Sequence, residues 1–329
     1  MSTEHIGGVG QLAPYTHGWW SGGGRNLLEN VALARRLFPE VFTSGGGAAG
    51  DALPVLLRNA ASPAQLRRGG YVYVPQNAWA WAGPTAGGRE AAKRLSLRFA
   101  SEVAARRALR TIRIGPMIPR TSRTVAGYLP NALDLSFEKA RAAVLDQGAD
   151  RSPTIVVVGS IVGYRNLPAA VKGWWQYRTS GGTLRLDIAG PVVSRAAEAS
   201  LGRATDGHAG MSVSPHRLSR VQVLELFATA TVALFPSLVE ASPVAPIEAA
   251  AMGTPVILWD TPAHSFLNEH VLDDAATLVG DVDTLADALA LAETGALTSS
   301  FSVAHRDVRD VARRAWCEQF VRLARGAAP

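Results

Sequence analysis

Cysteine is nearly absent: Cys317 is the only one in 329 residues, which excludes an internal disulfide and a cysteine-based zinc site. Charge is sparse as well, 18% against a hydrophobic fraction of 47%, and that excludes a disordered, solvating chain. Long apolar runs are missing. The longest, Thr154–Val162 and Ala228–Phe235, fall far short of the ~20 residues that a membrane-spanning helix needs. No basic segment followed by an apolar one marks the N-terminus as a secretory signal. The histidines do not gather at metal-ligand spacing. Glycine (32) and proline (19) are plentiful but not periodic, which sets collagen-like and low-complexity chains aside. The expectation is a soluble, cytoplasmic protein, and the length suggests two domains.

The charge that is present is unevenly spread. The whole chain carries +6, from 33 basic and 27 acidic residues. The segment Arg89–Arg123 alone holds ten basic and two acidic residues, a local excess of 10 − 2 = +8. Nucleic acid, an anionic membrane surface or a phosphorylated acceptor could each use such a segment. On a helical wheel, however, Arg89, Arg94, Arg98, Arg106 and Arg110 scatter rather than form one stripe, which is the pattern of a solvated helix.

After about residue 150 the pattern alternates between strand and helix. Thr154–Val158, Leu184–Ala189, Thr231–Phe235, Pro255–Trp259 and Ala275–Val279 read as strands, with a further one around Met211–Val213. Helices are expected near Leu167–Tyr177, Ser219–Thr229, Pro246–Met252, Asp283–Leu291 and His305–Arg325. This alternation predicts a parallel sheet covered on both faces. In the first part, Leu27, Val31, Ala34 and Phe38 mark a helix over Arg25–Phe38; Tyr71–Pro75 reads as a strand, Arg89–Arg110 as a long helix and Val125–Pro130 as a last strand. The polar stretch within Asp134–Pro153 reads as a linker. The domains are then 1–135 and 136–329, with the last helix free to pack back on the first.

Three short motifs carry little. Gly45-Gly46-Gly47-Ala48-Ala49-Gly50 satisfies G-x-G-x-x-G, but no Asp or Glu stands between Asp51 and Glu90 to hold a ribose, so nicotinamide binding is not expected there. Gly8-Val9-Gly10 is a looser match without a strand before it. Asp281-Val282-Asp283 has the look of a metal-holding D-x-D pair, yet its position before a helix suits Asp283 as an N-cap.

Three other features converge. Ser21-Gly22-Gly23-Gly24-Arg25-Asn26 leads into a helix start, where glycines allow close approach and unpaired N–H groups favour an anion; an ordinary flexible loop remains the alternative. Val158-Gly159-Ser160 ends a strand and Tyr164-Arg165-Asn166 precedes a helix, which is where open α/β sheets bind ligands. Arg165 could grip a diphosphate with its planar fork, or be a surface arginine. Most specific is Glu240-Ala241-Ser242-Pro243-Val244-Ala245-Pro246-Ile247-Glu248. Pro246 suits a first helical turn, so Glu240 belongs to the loop before it and Glu248 to the opening turns. Carboxylates can accept sugar hydroxyls and the helix-start amides can hold phosphate. Either glutamate alone would be read as an acid favouring a helix start.

Phe235-Pro236-Ser237, Glu240 with Glu248, Ala249-Ala250-Ala251-Met252-Gly253-Thr254-Pro255-Val256-Ile257 and Asp260 together resemble the GT-B retaining glycosyltransferases of family 4. Tyr128-Leu129-Pro130-Asn131-Ala132-Leu133-Asp134 is similar to that family's join between domains. Val158-Gly159 with Arg165-Asn166-Leu167 is similar to its phosphate motif, and Gly22-Gly23 with Leu33-Ala34 and Leu37 to its N-terminal loop and helix. The resemblance implies an α/β protein of GT-B fold: an acceptor-binding and a donor-binding Rossmann-like domain facing a cleft. It also implies transfer of a sugar from a UDP- or GDP-sugar to a hydroxyl acceptor, without a metal, a resident cofactor or a protein nucleophile.

Carried over by position, Glu240 would meet the donor sugar and Glu248 the ribose. Arg165, with Ser160 and Asn166 beside it, would face the diphosphate; Gly22, Gly23 and Gly24 would approach from the first domain. The N–H groups of Ser242, Val244 and Ala245 would lie along the sugar and diphosphate. The family's phosphate-motif arginine is Ser160 here, its Gly-Phe-Gly is Ala241-Ser242-Pro243, and Pro243 has no N–H to donate. The expected partners are the donor and a small-molecule, glycan or protein acceptor, with peripheral membrane contact open and a monomer or weak dimer expected. Two other readings stand beside this one: a nucleic-acid-directed glycosyltransferase, from the basic segment, and a non-catalytic sugar-nucleotide binder, from Ser160 and Pro243.

Overall fold

A computed structural model describes residues 72–75 and 88–297 except 122, 132, 134, 149 and 273–274, with Ala34, Leu37, residues 55–56 and residues 316–323. The chain divides into two compact units, residues 1–132 with 307–329, and residues 133–306. The sequence-based boundary at 135/136 falls just inside the second unit. Among the described residues no helix is long and apolar enough to cross a membrane.

In the first unit, β1 (Val55–Leu56), β2 (Val72–Tyr73), β3 (Arg110–Arg113) and β4 (Thr124–Tyr128) form a parallel sheet in that order. Helix α1 (Gly88–Arg107) precedes β3. Small residues let α1 pack closely: Ala104, Ala105 and Ala108 cluster with Tyr73. The basic segment is split by this fold. Arg94 and Arg113 are buried, and Arg113 lies 4.3 Å over the ring of Tyr128. The expected helix Arg89–Arg110 stops at Arg107, and Arg110 opens β3 instead. Residues 316–323 are helical. Trp316 Nε1 donates to the Pro130 carbonyl at 2.8 Å and Gln319 Nε2 to the Tyr128 carbonyl at 2.8 Å, which ties this helix to the end of β4.

The second unit is a six-stranded parallel sheet in the order β10-β9-β8-β5-β6-β7. Its strands are β5 (Ser152–Val158), β6 (Arg185–Ala189), β7 (Met211–Ser214), β8 (Ala230–Phe235), β9 (Val256–Trp259) and β10 (Thr277–Val279). The helices are α2 (Leu135–Leu145), α3 (Leu167–Thr179), α4 (Arg195–Thr205), α5 (Arg220–Thr229), α6 (Ala245–Ala251), α7 (Pro262–His270) and α8 (Val282–Glu293). The region expected to be a linker therefore contains α2, whose Phe137, Ala140 and Val144 are buried at helical spacing.

Alternation along each strand builds two cores. Ile155, Val157, Val232, Leu234 and Ile257 point to one face with α3 and α8; Val156, Ala233, Phe235, Val256 and Leu258 point to the other with α2, α5 and α6. Each Val, Leu, Ile or Phe side chain among them contributes roughly 1.5–3 kcal/mol by burial. Trp174 is fully buried and its Nε1 donates to the Leu184 carbonyl at 3.0 Å, so its one polar atom is matched. Helix starts are set by side chains. Ser219 and Gln222 form a capping box on α5, and Thr261 caps α7. For α8 the cap is Asp281, reciprocated by Thr284, not Asp283 as expected: the helix begins at Val282, so Asp283 is already in the first turn.

Candidate functional site

The strand order reverses between β5 and β8. From β5 the chain continues outward through β6 and β7, whereas β8, β9 and β10 run the other way. The loops after β5 and β8 therefore leave the sheet at a topological switch point, where doubly wound sheets bind ligands, with the β9 loop beside them.

The β5 loop is shaped by close approach. Gly159 has φ +152 and Gly190 φ +151; a Cβ on Gly190 would stand 2.1 Å from the Gly159 carbonyl oxygen. The Arg165 guanidinium lies against Gly159, since a Cβ there would meet Arg165 Cζ at 3.4 Å. A 3-10 turn, Gly163–Arg165, closes with Asn166 in the left-handed region at φ 54, from which α3 starts. Arg165 Nη1 donates to Ser237 Oγ at 3.0 Å and to the carboxylate of Glu240. The Leu238 N–H donates to the Tyr164 carbonyl at 2.9 Å, so the β5 and β8 loops are bound to each other by backbone as well. Burial pushes the Tyr164 hydroxyl above its usual range, with Arg165 opposing the shift. Ser160 is half-buried in the same loop.

The β8 loop carries Ser237, buried, then Glu240 and Ser242, both partly buried. Helix α6 begins at Ala245 with Pro246 in its first turn, and Val244 at its start makes no side-chain cap. Glu240 lies in the loop and Glu248 in the first turn, as the prolines require. This short helix is held at its other end. Arg141 Nε on α2 donates to the Ala251 carbonyl at 2.9 Å, placing a cation at the helix C-terminus. The Glu248 carboxylate is buried and its Oε1 lies 2.6 Å from Arg220 Nη2, at the first residue of α5. Arg220 also stands over the ring of Phe137, 5.6 Å from its centroid.

The β9 end adds His264, in the first turn of α7 and fully buried. Its Nδ1 lies 2.7 Å from the Trp259 carbonyl. Burial pushes the imidazole pKa below its usual value; Glu240 and the Trp259 carbonyl oppose this and Arg165 adds to it. The ring is neutral at neutral pH.

The structure thus brings together Arg165, Glu240 and Ser237, with His264 within electrostatic reach, and it holds Glu248 on Arg220. Gly22, Gly23 and Gly24 lie outside the described residues, as do Gly8–Gly10 and Gly45–Gly50. Among the described residues no three His, Cys, Asp or Glu side chains are grouped to hold a metal ion. Arg220 and His264 are additions that sequence reasoning missed. A signal existed for each: the Ser219–Gln222 capping box fixes Arg220 at a helix start, and Asp260-Thr261-Pro262 after β9 fixes His264 in another. In chemical terms the site offers a planar cation, two carboxylates and a neutral imidazole at the carboxyl ends of parallel strands. Such a set suits a ligand with phosphate at one part and hydroxyls at another.

Residues 152–292 match the family model described as Glycosyl transferases group 1. No curated protein matches the sequence. Among solved structures, the trehalose-6-phosphate synthase OtsA is similar over 92% of this chain and 77% of its own, at 15% identity and a TM-score of 0.60. A UDP-forming alpha,alpha-trehalose-phosphate synthase from Burkholderia vietnamiensis covers 91% of this chain and 74% of its own, at 12% identity and a TM-score of 0.58. The sucrose-phosphate synthase of Thermosynechococcus elongatus covers 78% and 67%, at 18% identity and a TM-score of 0.54. Identities this low speak for the fold alone. The fold is the one seen in GT-B glycosyltransferases. The match to the group 1 glycosyltransferase model lies within the second unit.

Proposed function

We propose that the protein is a retaining glycosyltransferase that moves a sugar from a UDP- or GDP-sugar to a hydroxyl acceptor, with no metal and no protein nucleophile. The observation that carries the reading is the joining of the β5 and β8 loops at the switch point through Arg165, Ser237 and Glu240. Arg165 takes the diphosphate and stabilises the charge that develops on it as the sugar leaves. Glu240 accepts hydrogen bonds from hydroxyls of the transferred sugar, and Glu248 from those of the ribose. The N–H groups of Ser242, Val244 and Ala245 line the sugar and diphosphate, with Ser160 and Asn166 beside Arg165. Retention is favoured by analogy: a trehalose-6-phosphate synthase among the structural relatives is described as transferring with retention. The burial of Arg94 and Arg113 removes two cations from the basic segment, which weakens the nucleic-acid reading.

The test is a thermal-shift screen of the full chain against UDP, GDP, TDP and CDP, followed by sugar nucleotides of any responding base. A ligand that binds only the native state raises its stability once its concentration exceeds Kd. The expected result is a shift selective for one base, lost in Glu248→Ala. Slow donor hydrolysis that disappears in Glu240→Ala would favour the enzyme; nucleotide binding with neither hydrolysis nor transfer would favour the non-catalytic binder. No shift with any nucleotide would sink the reading.

A further inference from the structure

His264 has one ring nitrogen matched and the other not. The Trp259 carbonyl oxygen can only accept, so the contact at 2.7 Å places the ring proton on Nδ1. Nε2 is then a bare lone pair. It is closed from solvent and has no hydrogen-bond partner among the described residues. Buried polar atoms are seldom left so, and a phenyl ring would fill much the same space without the loss. The charged groups that act on the ring cannot supply the missing proton as they stand. Glu240, from the loop after β8, and Asp260, at the end of β9, are carboxylates and accept only. Arg165 Nη1, from the β5 loop, is engaged with Ser237 and Glu240. A neutral hydroxyl would match Nε2. Arg165, whose charge acts on the ring, keeps one buried donor, Nε, without a hydrogen-bond partner among the described residues. One acceptor and one donor are the two valences that a hydroxyl group satisfies.

We infer that His264 is a donor-positioning residue, whose Nε2 accepts a hydrogen bond from a hydroxyl of the sugar carried by the nucleotide. The inference rests on the donor site proposed above and adds the group that reads the sugar. In that reading Arg165 turns to the diphosphate and Glu240 to the sugar, and both are groups whose charge acts on the ring. The imidazole acts on the sugar and not on the nucleotide, so its removal separates the two affinities.

The experiment is isothermal titration of the full chain with UDP and UDP-glucose, and with GDP and GDP-mannose. The proteins are wild type, His264→Phe and His264→Gln; the Gln side-chain oxygen offers an acceptor at about the reach of Nε2. The phenylalanine variant should bind the responding sugar nucleotide about tenfold more weakly, the scale of one buried hydrogen bond, and its nucleoside diphosphate within twofold of wild type. The glutamine variant should recover most of the loss. Equal weakening of both ligands in His264→Phe would overturn the inference and assign the ring to packing or to a buried water. Unchanged sugar-nucleotide affinity would overturn it as well. A wild type that binds neither nucleoside diphosphate would instead remove the donor site, and this inference with it, so the two failures are told apart by the UDP and GDP titrations alone.

Discussion

The pair Arg220–Glu248 offers the sharpest test of how this site is held. Glu248 keeps 9% and Arg220 19% of its side-chain surface, and the charged atoms are 2.6 Å apart. Taking one partner away leaves the other charge out of water, which costs about 3–5 kcal/mol for a fully buried pair. Arg220 retains more access and can turn toward solvent, so the two directions differ. Arg220→Met, which takes the cation from the more buried carboxylate, should lower the unfolding free energy by about 3 kcal/mol. Glu248→Gln, which takes the carboxylate from the arginine, should lower it by about 2 kcal/mol. The double variant removes both charges and should sit only about 1–2 kcal/mol below wild type, a coupling of roughly 3 kcal/mol. Urea unfolding at pH 7.5 reads these values, provided the slope with denaturant is the same in all four proteins. Raising salt from 0.1 to 1 M should leave the coupling largely intact, because screening acts weakly on a pair with so little water around it. An additive double variant, or an Arg220→Met cost below about 0.5 kcal/mol, would refute the claim that this pair fixes α5 to α6.

Three further outcomes are expected. Gly190→Ala should destabilise by more than about 3 kcal/mol in urea, since its Cβ would stand 2.1 Å from the Gly159 carbonyl oxygen at φ +151, whereas Gly202→Ala, with nothing within 4 Å in mid-helix, should stabilise by about 0.5–1 kcal/mol. The folded-state pKa of His264 lies below its unfolded value of 6.5. Its contribution to stability is therefore complete above about pH 6.5 and is lost as pH falls toward the folded pKa. Wild type should lose up to about 1.4 kcal/mol per pH unit there that His264→Phe does not lose, as measured by urea unfolding at pH 7.5 and 5.5. Arg165→Met should weaken a nucleoside diphosphate about 10- to 100-fold in isothermal titration while leaving the bare nucleoside nearly unchanged; equal losses would place Arg165 away from phosphate.

Much of the second unit was legible because its strands are β-branched and alternate. Ile155 to Val158 and Val232 to Phe235 could only be buried strands, and Pro243 with Pro246 could only leave Glu240 in a loop. What was missed shares one cause. The segment β3 reads Arg-Thr-Ile-Arg directly after a helix, and its cations hide the strand; only tertiary contact shows Arg113 on Tyr128 and Arg110 ending the helical run. Helix α2 was lost in a polar-ended linker although Phe137, Ala140 and Val144 carried the period. Arg220 and His264 are single polar residues, whose default place is the surface; the caps beside them mark a helix start but not the burial that brings them into the site. From the sequence the charged site residues each took a ligand, where the fold gives them protein partners: Arg165 has Glu240, and Glu248 has Arg220. That difference is physical. Charges this far from water must be neutralised for the fold to stand, so the groups suited to a charged, hydroxyl-rich ligand are the ones that pair with each other. Binding then exchanges partners instead of filling vacant ones, and its selectivity rests on how well the ligand replaces both halves of a pair at once.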